Sequence, residues 1–137
     1  MNLDYPIIFI SILSSLIGHV LALNKTDIKK MLAYSTIGHV GIIIATLTLH
    51  TRLSLIAGLF YILGHSLMKI SLFTTSGYLI QHTPTNYLED FKGVAYKNKL
   101  VFSGFLIAAA GMVGFPPMLG FISRWITIRS FIQSGYY

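Results

Sequence analysis

Hydrophobic residues fall into four long blocks along the chain, separated by short polar stretches. The blocks cover residues 5–23, 28–49, 53–80 and 100–132. A helix needs about 20 mostly apolar residues to cross the roughly 30 Å hydrocarbon core of a bilayer. The pattern therefore predicts an all-α fold, a polytopic membrane protein with four transmembrane helices in a single membrane domain over residues 1–137.

The fourth block is too long for one continuous span, because residues 100–132 would form a helix of about 50 Å at ~1.5 Å per residue. Its middle carries the sequence GFPPMLG at 114–120, with Gly114, Pro116, Pro117 and Gly120. Proline lacks a backbone donor and clashes with the preceding turn. We therefore predict that the fourth helix is discontinuous at 114–120. Transporters place such breaks at ion sites; a kinked or re-entrant helix without a transport role is the alternative.

The charges indicate how the chain is oriented in the membrane. The net charge is +6, from ten Lys and Arg against four Asp and Glu, and the mean hydropathy is +0.71. Residues 24–30 and 82–99 carry three lysines each, whereas residues 50–52 carry one arginine. Positive loops stay on the cytoplasmic side, which predicts a cytoplasmic loop at 82–99 and both termini on the non-cytoplasmic side. We expect a bacterial plasma membrane, with the mitochondrial inner membrane as the alternative.

Small residues recur at helical spacing in the first two blocks. Ser14, Gly18 and Ala22 repeat in the first block, and Gly38 and Gly41 repeat in the second. Small side chains let helix backbones approach closely inside a membrane. The spacing indicates helix contacts of the kind that membrane proteins make, although glycine is also common in such helices for other reasons.

Ionisable residues lie deep inside the apolar blocks. The segment YILGHSLMKISLF (61–73) holds Lys69 about 16 Å from the nearer end of its helix, too deep for its head to reach the interface. His65 precedes it by one turn on the same face. An ionisable residue at this depth is a candidate functional site, and both side chains can change protonation state there. With His39 in the second block and Arg124 beyond the break, they predict a proton pathway. A buried pair that only binds helices together is the alternative.

Other kinds of chemistry have no support in the sequence. There is no cysteine, and Asp4, Asp27, Glu89 and Asp90 all lie outside the blocks. We therefore expect no metal site, no cofactor and no catalytic residue, so that any redox chemistry belongs to partner subunits. The lysines cluster in loops and form no basic stripe, which argues against nucleic-acid binding. The remaining histidines, His19, His50 and His82, fall near the ends of blocks or in loops, where we expect them to be solvated.

Three motifs occur in a familiar order: TDIKKMLAYSTIGHVG (26–41), GHSLMKISLFTTSG (64–77) and GFPPMLGFISRW (114–125). Together they resemble the antiporter-like membrane subunits shared by respiratory complex I and multisubunit cation/proton antiporters. The resemblance covers nearly the whole chain and matches the second of the family's two inverted repeats. It implies that Lys69 and His65 lie on a proton-carrying polar axis. It also implies that His39 stands at a position where the family often has a histidine. It also implies other membrane subunits as partners, with protons, Na+ or K+ as the ions moved.

Two departures from the family pattern leave a second hypothesis open. The chain has no counterpart of the family's first repeat, and Arg124 stands where the family carries lysine or glutamate. Arginine does not deprotonate in proteins, so Arg124 could tune Lys69 or block leakage but could not hand on a proton. The alternative function is therefore a non-transporting fragment, or a subunit that only packs within such a complex.

Overall fold

The structure, a computed structural model, describes residues 3–83, 85–91, 93 and 97–135. These residues include five α-helices, and they contain no β-strand beyond one isolated bridge. The helices are α1 (Asp4–Leu23), α2 (Ile28–Leu47), α3 (Arg52–Gln81), α4 (Lys99–Val113) and α5 (Leu119–Ser134), with a short 3-10 turn at Leu88–Asp90. The predicted all-helical fold is confirmed.

Local hydrogen bonds determine where α2 and α3 begin. The Asp27 carboxylate accepts hydrogen bonds from the backbone N–H groups of Lys29 and Lys30, which the first turn of α2 would otherwise leave unpaired. At the start of α3, the side chains of Thr51 and Ser54 each accept the other's backbone N–H in a capping box. The α3 helix then runs for 30 residues, about 45 Å, and carries most of the candidate site.

Three helices, α1, α2 and α3, are long and apolar enough to cross a membrane, with mean hydropathies of 2.2, 1.3 and 1.6 over their most apolar windows. Large side chains on their outer faces are exposed, among them Leu16 on α1, Ile37 on α2 and Leu63 on α3. Exposed apolar surface on this scale indicates contact with lipid or with other protein.

The predicted fourth span consists of two separate helices, α4 with 15 residues and α5 with 16. Gly114 ends α4 in the left-handed conformation at φ 91°, which glycine adopts without strain. Pro116 and Pro117 lie between the helices, and α5 starts at Leu119. Gly120 was predicted to be part of the break, but it lies inside α5, so this detail is wrong. Its lack of a side chain allows α5 to cross α4, because a β-carbon at Gly120 would overlap the carbonyl of Gly111.

The helices pack around α3, which contacts α2, α4 and α5, whereas α1 packs mainly on α2. The small residues of the first two blocks lie at a close contact between α1 and α2: a β-carbon on Gly18 would lie 2.5 Å from the backbone nitrogen of Gly38. Ser11 and Ser15, rather than Ser14, complete the buried face of α1.

The two loops that join helices at one end of the bundle are hydrogen-bonded to each other. The backbone N–H of Ile28 donates to Asn86 O, and that of Leu88 donates to Thr26 O, both at 3.2 Å. An apolar core lies beside this contact, formed by buried residues of α2, α3, α4 and the connector: Ile28, Leu32, Leu72, Leu79, Phe91 and Ala108. The polar candidate residues lie deeper in the bundle than this core.

Candidate functional site

Lys69 is buried on α3, with 7% of its surface exposed, and its ammonium group points at α2. It donates hydrogen bonds of 2.6 Å to the Leu32 carbonyl oxygen and to the Ser35 hydroxyl. The Leu32 carbonyl also accepts bonds from the hydroxyls of Ser35 and Thr36, at 3.0 and 2.9 Å. The ammonium group therefore binds neutral oxygens of α2, and the Leu32 carbonyl keeps other donors when Lys69 is changed.

Three imidazole rings from three helices lie in a row, which we call the histidine row: His19 on α1, His39 on α2 and His65 on α3. The ring centres are 4.9 Å apart between His19 and His39, and again 4.9 Å apart between His39 and His65. His39 and His65 are buried, at 4% and 8% exposure. His65 lies one turn before Lys69, so the row leads to the lysine.

Two residues beside this row and cavity, Tyr61 and His19, were not predicted from the sequence. The Tyr61 hydroxyl lies 3.0 Å from His39 Nδ1, and the tyrosine is buried. Its position four residues before His65 was the signal, since residues four apart share a helix face. The expectation that His19 is solvated is wrong, because its ring is half-buried against His39. The other two histidines behave as expected at the ends of helices, where His50 pairs with Asp4 at 3.5 Å and His82 is exposed.

A small cavity lies between the histidine row and α5. Its lining residues come from α2 to α5: His39, Tyr61, His65, Met68, Met112, Gly120, Ser123 and Arg124. The volume of this cavity that the centre of a water molecule can occupy is about 10 Å³, near the minimum needed to hold one water. His65 Nε2 is buried and has no hydrogen-bond partner among the described residues. A buried ring nitrogen of this kind is normally satisfied by protein or ordered water, so the cavity is suited to one water molecule bound at His65.

Arg124, half-buried on α5, reaches back across the break to the end of α4. Its guanidinium donates one hydrogen bond to Met112 O at 2.6 Å and another to Val113 O. The last carbonyls of a helix lack partners within the helix and carry partial negative charge. Arg124 therefore satisfies the C-terminal end of α4 while the same side chain lines the cavity beside His65.

The geometry brings His65 and His39 into contact, and both line the cavity together with Arg124. Lys69 does not line the cavity; it lies one turn after His65 on α3, with its ammonium group bonded to α2. Among the described residues, no group of three His, Cys, Asp or Glu is arranged to hold a metal ion. Imidazole and amine groups on neighbouring turns can accept and release protons, which is the chemistry that these residues offer.

Comparison with known proteins identifies the family. Residues 1–137 match the family described as NADH:quinone oxidoreductase/Mrp antiporter, TM. The chain is 36% identical over 120 residues to NADH-quinone oxidoreductase subunit N of Desulforudis audaxviator, a match that covers 88% of this chain and 24% of that protein. It is 30% identical over 122 residues to subunit M of Rickettsia prowazekii, covering 89% of this chain and 25% of that protein.

The chain thus spans about a quarter of the length of these relatives. Its apolar helices and the family match make it an integral membrane protein. The motif order, the buried lysine and histidines and the match over every residue lead to one conclusion: the chain belongs to the NADH:quinone oxidoreductase/Mrp antiporter transmembrane family.

Proposed function

We propose that the chain is part of a proton- or cation-translocating membrane unit, in a complex of the NADH:quinone oxidoreductase or antiporter type. The observation that carries the proposal is Lys69, a buried amine without a carboxylate partner among the described residues, one turn after a buried imidazole, His65, that contacts a second one. Titratable groups inside a membrane are costly, and ion pathways are the common reason that they are retained.

The proposed proton route runs along Lys69, His65 and His39. Each imidazole can take a proton on one nitrogen and release one from the other, and the Lys69 amine can exchange a proton with the Ser35 hydroxyl or with His65. The water-sized cavity provides a connection from His65 toward α5. Arg124 holds a permanent positive charge there and raises the energy of a proton that moves past it.

The membrane arrangement is part of the same proposal. The helices α1, α2 and α3 each cross the membrane, and α4 and α5 together form the discontinuous fourth crossing, with Pro116 and Pro117 at its break. The loops at 24–30 and 82–99 face the cytoplasm of a bacterial cell, because they carry most of the lysines. Other membrane subunits of such a complex are the expected partners.

The direct test is Lys69→Ala, with Lys99→Ala as the matched control. Lys99 is an exposed lysine at the start of α4, so its loss removes the same charge outside the cluster. We expect Lys69→Ala to assemble normally, since the Leu32 carbonyl retains two hydroxyl donors and Ser35 retains its bond to Leu32. Proton uptake by sealed vesicles should fall by about 100-fold or more, which is the usual contribution of a positioned proton-transfer group to a rate. Wild-type uptake in Lys69→Ala would refute the route.

A structural role is the second candidate, and one observation favours it. Two hydrogen bonds of the Arg124 guanidinium go to carbonyls at the end of α4, as expected for a residue that stabilises a helix end, and the same group also interacts with the Tyr61 side chain. Affinity purification from native membranes in mild detergent separates the candidates. Recovery together with other membrane subunits, including one that supplies the family's first repeat, supports the transport unit; recovery of the chain alone supports the structural fragment.

A further inference from the structure

His19 is the one member of the histidine row that the proposed route does not use. It lies four residues before the end of α1 at Leu23, about 6 Å along the helix axis. His39 lies eleven residues into α2, about 16 Å from the start of that helix at Ile28. Because these two helix ends are joined by residues 24–27, His19 lies between His39 and the loop end of the bundle.

The hydrogen bond of His19 determines which of its nitrogens can take a proton. Its Nδ1 lies 2.8 Å from the Ser15 carbonyl oxygen. A carbonyl oxygen only accepts, so Nδ1 must carry the hydrogen. In the neutral ring Nε2 is then the unprotonated nitrogen, and it is the atom that can receive a proton.

Gly38 provides the space that brings the two rings together. A β-carbon at position 38 would overlap the His19 ring, and ring atoms of His19 are the nearest atoms that it would meet. The His19 ring therefore lies directly against the α2 backbone and contacts the His39 ring edge to face, at an interplanar angle of 81°. A side chain of any size at position 38 would separate the two imidazoles.

We propose that His19 is a further proton-carrying residue, which connects His39 with the loop end of the bundle along α1. The proposal rests on the proton transport proposed above. In the step, an N–H bond of protonated His39 breaks and an N–H bond forms at His19 Nε2, directly or through one water, so that one positive charge moves between the rings. His19 then gives the proton to water at the loop end. This step extends the proposed route in series beyond His39, so that protons that pass Lys69 and His65 also pass His19.

The first test replaces the imidazole while keeping its contacts. His19→Phe retains a ring against Gly38, and His19→Asn retains a donor for the Ser15 carbonyl, but neither can carry a proton. His82→Phe is the matched control, because His82 makes the same bond to the carbonyl four residues earlier, at 2.9 Å, on the exposed end of α3. Each change is made in the full coding sequence, and proton uptake by sealed vesicles is normalised to the assembled chain. We expect both His19 variants to lose about tenfold, less than Lys69→Ala, because His19 lies about 6 Å from the end of α1, where water can partly replace its ring.

The second test moves the His19 ring without removing a titratable group. Gly38→Ala should lower uptake to the level of His19→Phe in the wild-type background and should have no further effect in a His19→Ala background, where the ring is absent. Equal losses in both backgrounds would assign the effect to helix packing and overturn the proposal. So would wild-type uptake in either His19→Phe or Gly38→Ala. Wild-type uptake in Lys69→Ala, in contrast, would refute the transport function itself.

Discussion

Lys69 and Arg124 are both cations inside the helical bundle, but they bind different partners. Lys69 donates to a hydroxyl and a carbonyl of α2, one turn along α3 from the His65 imidazole. Arg124 donates to two carbonyls at the end of α4. At this scale, the lysine is placed to carry a proton and the arginine is placed to stabilise a helix end and supply a fixed charge.

Replacing Arg124 with lysine tests that distinction. A planar guanidinium bonds two carbonyls at once, whereas a single ammonium at this distance reaches one of them well. We expect Arg124→Lys to lose one charged hydrogen bond and to destabilise the folded chain by about 1–2 kcal/mol. Arg129→Lys, on the exposed face of the same helix, is the control. The measurement is the melting temperature of the detergent-solubilised protein, and equal values for the two variants would contradict the capping role.

The sequence alone could group some of these residues but not others. His65 and Lys69 share a face of one helix, and their proximity follows from a spacing of four residues. The contacts of His39 with Tyr61 and of His19 with His39 depend on how α1, α2 and α3 pack, which no local pattern encodes. His19 was misplaced for that reason: nearness to the end of a helix in the sequence does not show what the neighbouring helix brings beside it.

At the scale of elements, the break between α4 and α5 shows which signals are local. Gly114 and the two prolines act on the backbone directly, so they predict where a helix must stop. Gly120 acts through packing, because it admits the carbonyl of Gly111 at a helix crossing. In the sequence, the two kinds of glycine look the same. The predicted break at 114–120 was therefore too long on its C-terminal side.

For the whole molecule, the pairing of the loops links the structure to its orientation. Backbone hydrogen bonds join the α1–α2 loop to the connector after α3, so both lysine-bearing loops lie at one end of the bundle. The N-terminal end of α3 lies at the opposite end of the bundle, because residues 48–51 join it to the C-terminal end of α2. The relation between the ends follows from the fold, whereas the choice of membrane face follows from the positive loops.

Single cysteines test this arrangement cleanly, because the chain has none of its own. Asn24→Cys and Glu89→Cys place a thiol in each of the two paired loops, and Arg52→Cys places one at the opposite end. We expect an impermeant maleimide to label positions 24 and 89 only in inside-out vesicles and position 52 only in intact cells. Labelling of 24 and 89 from opposite sides would contradict the loop pairing; labelling of both from outside would reverse the orientation alone.

The most direct test of the central claim, that Lys69 carries protons, is the initial rate of proton uptake by vesicles containing Lys69→Arg. Arginine keeps the positive charge and can donate to the Leu32 carbonyl and the Ser35 hydroxyl, but it does not release its proton. We expect this variant to assemble and to lose uptake as completely as Lys69→Ala, by about 100-fold or more. A rate near that of the wild type would show that Lys69 acts only as a fixed charge and would contradict the proposed relay.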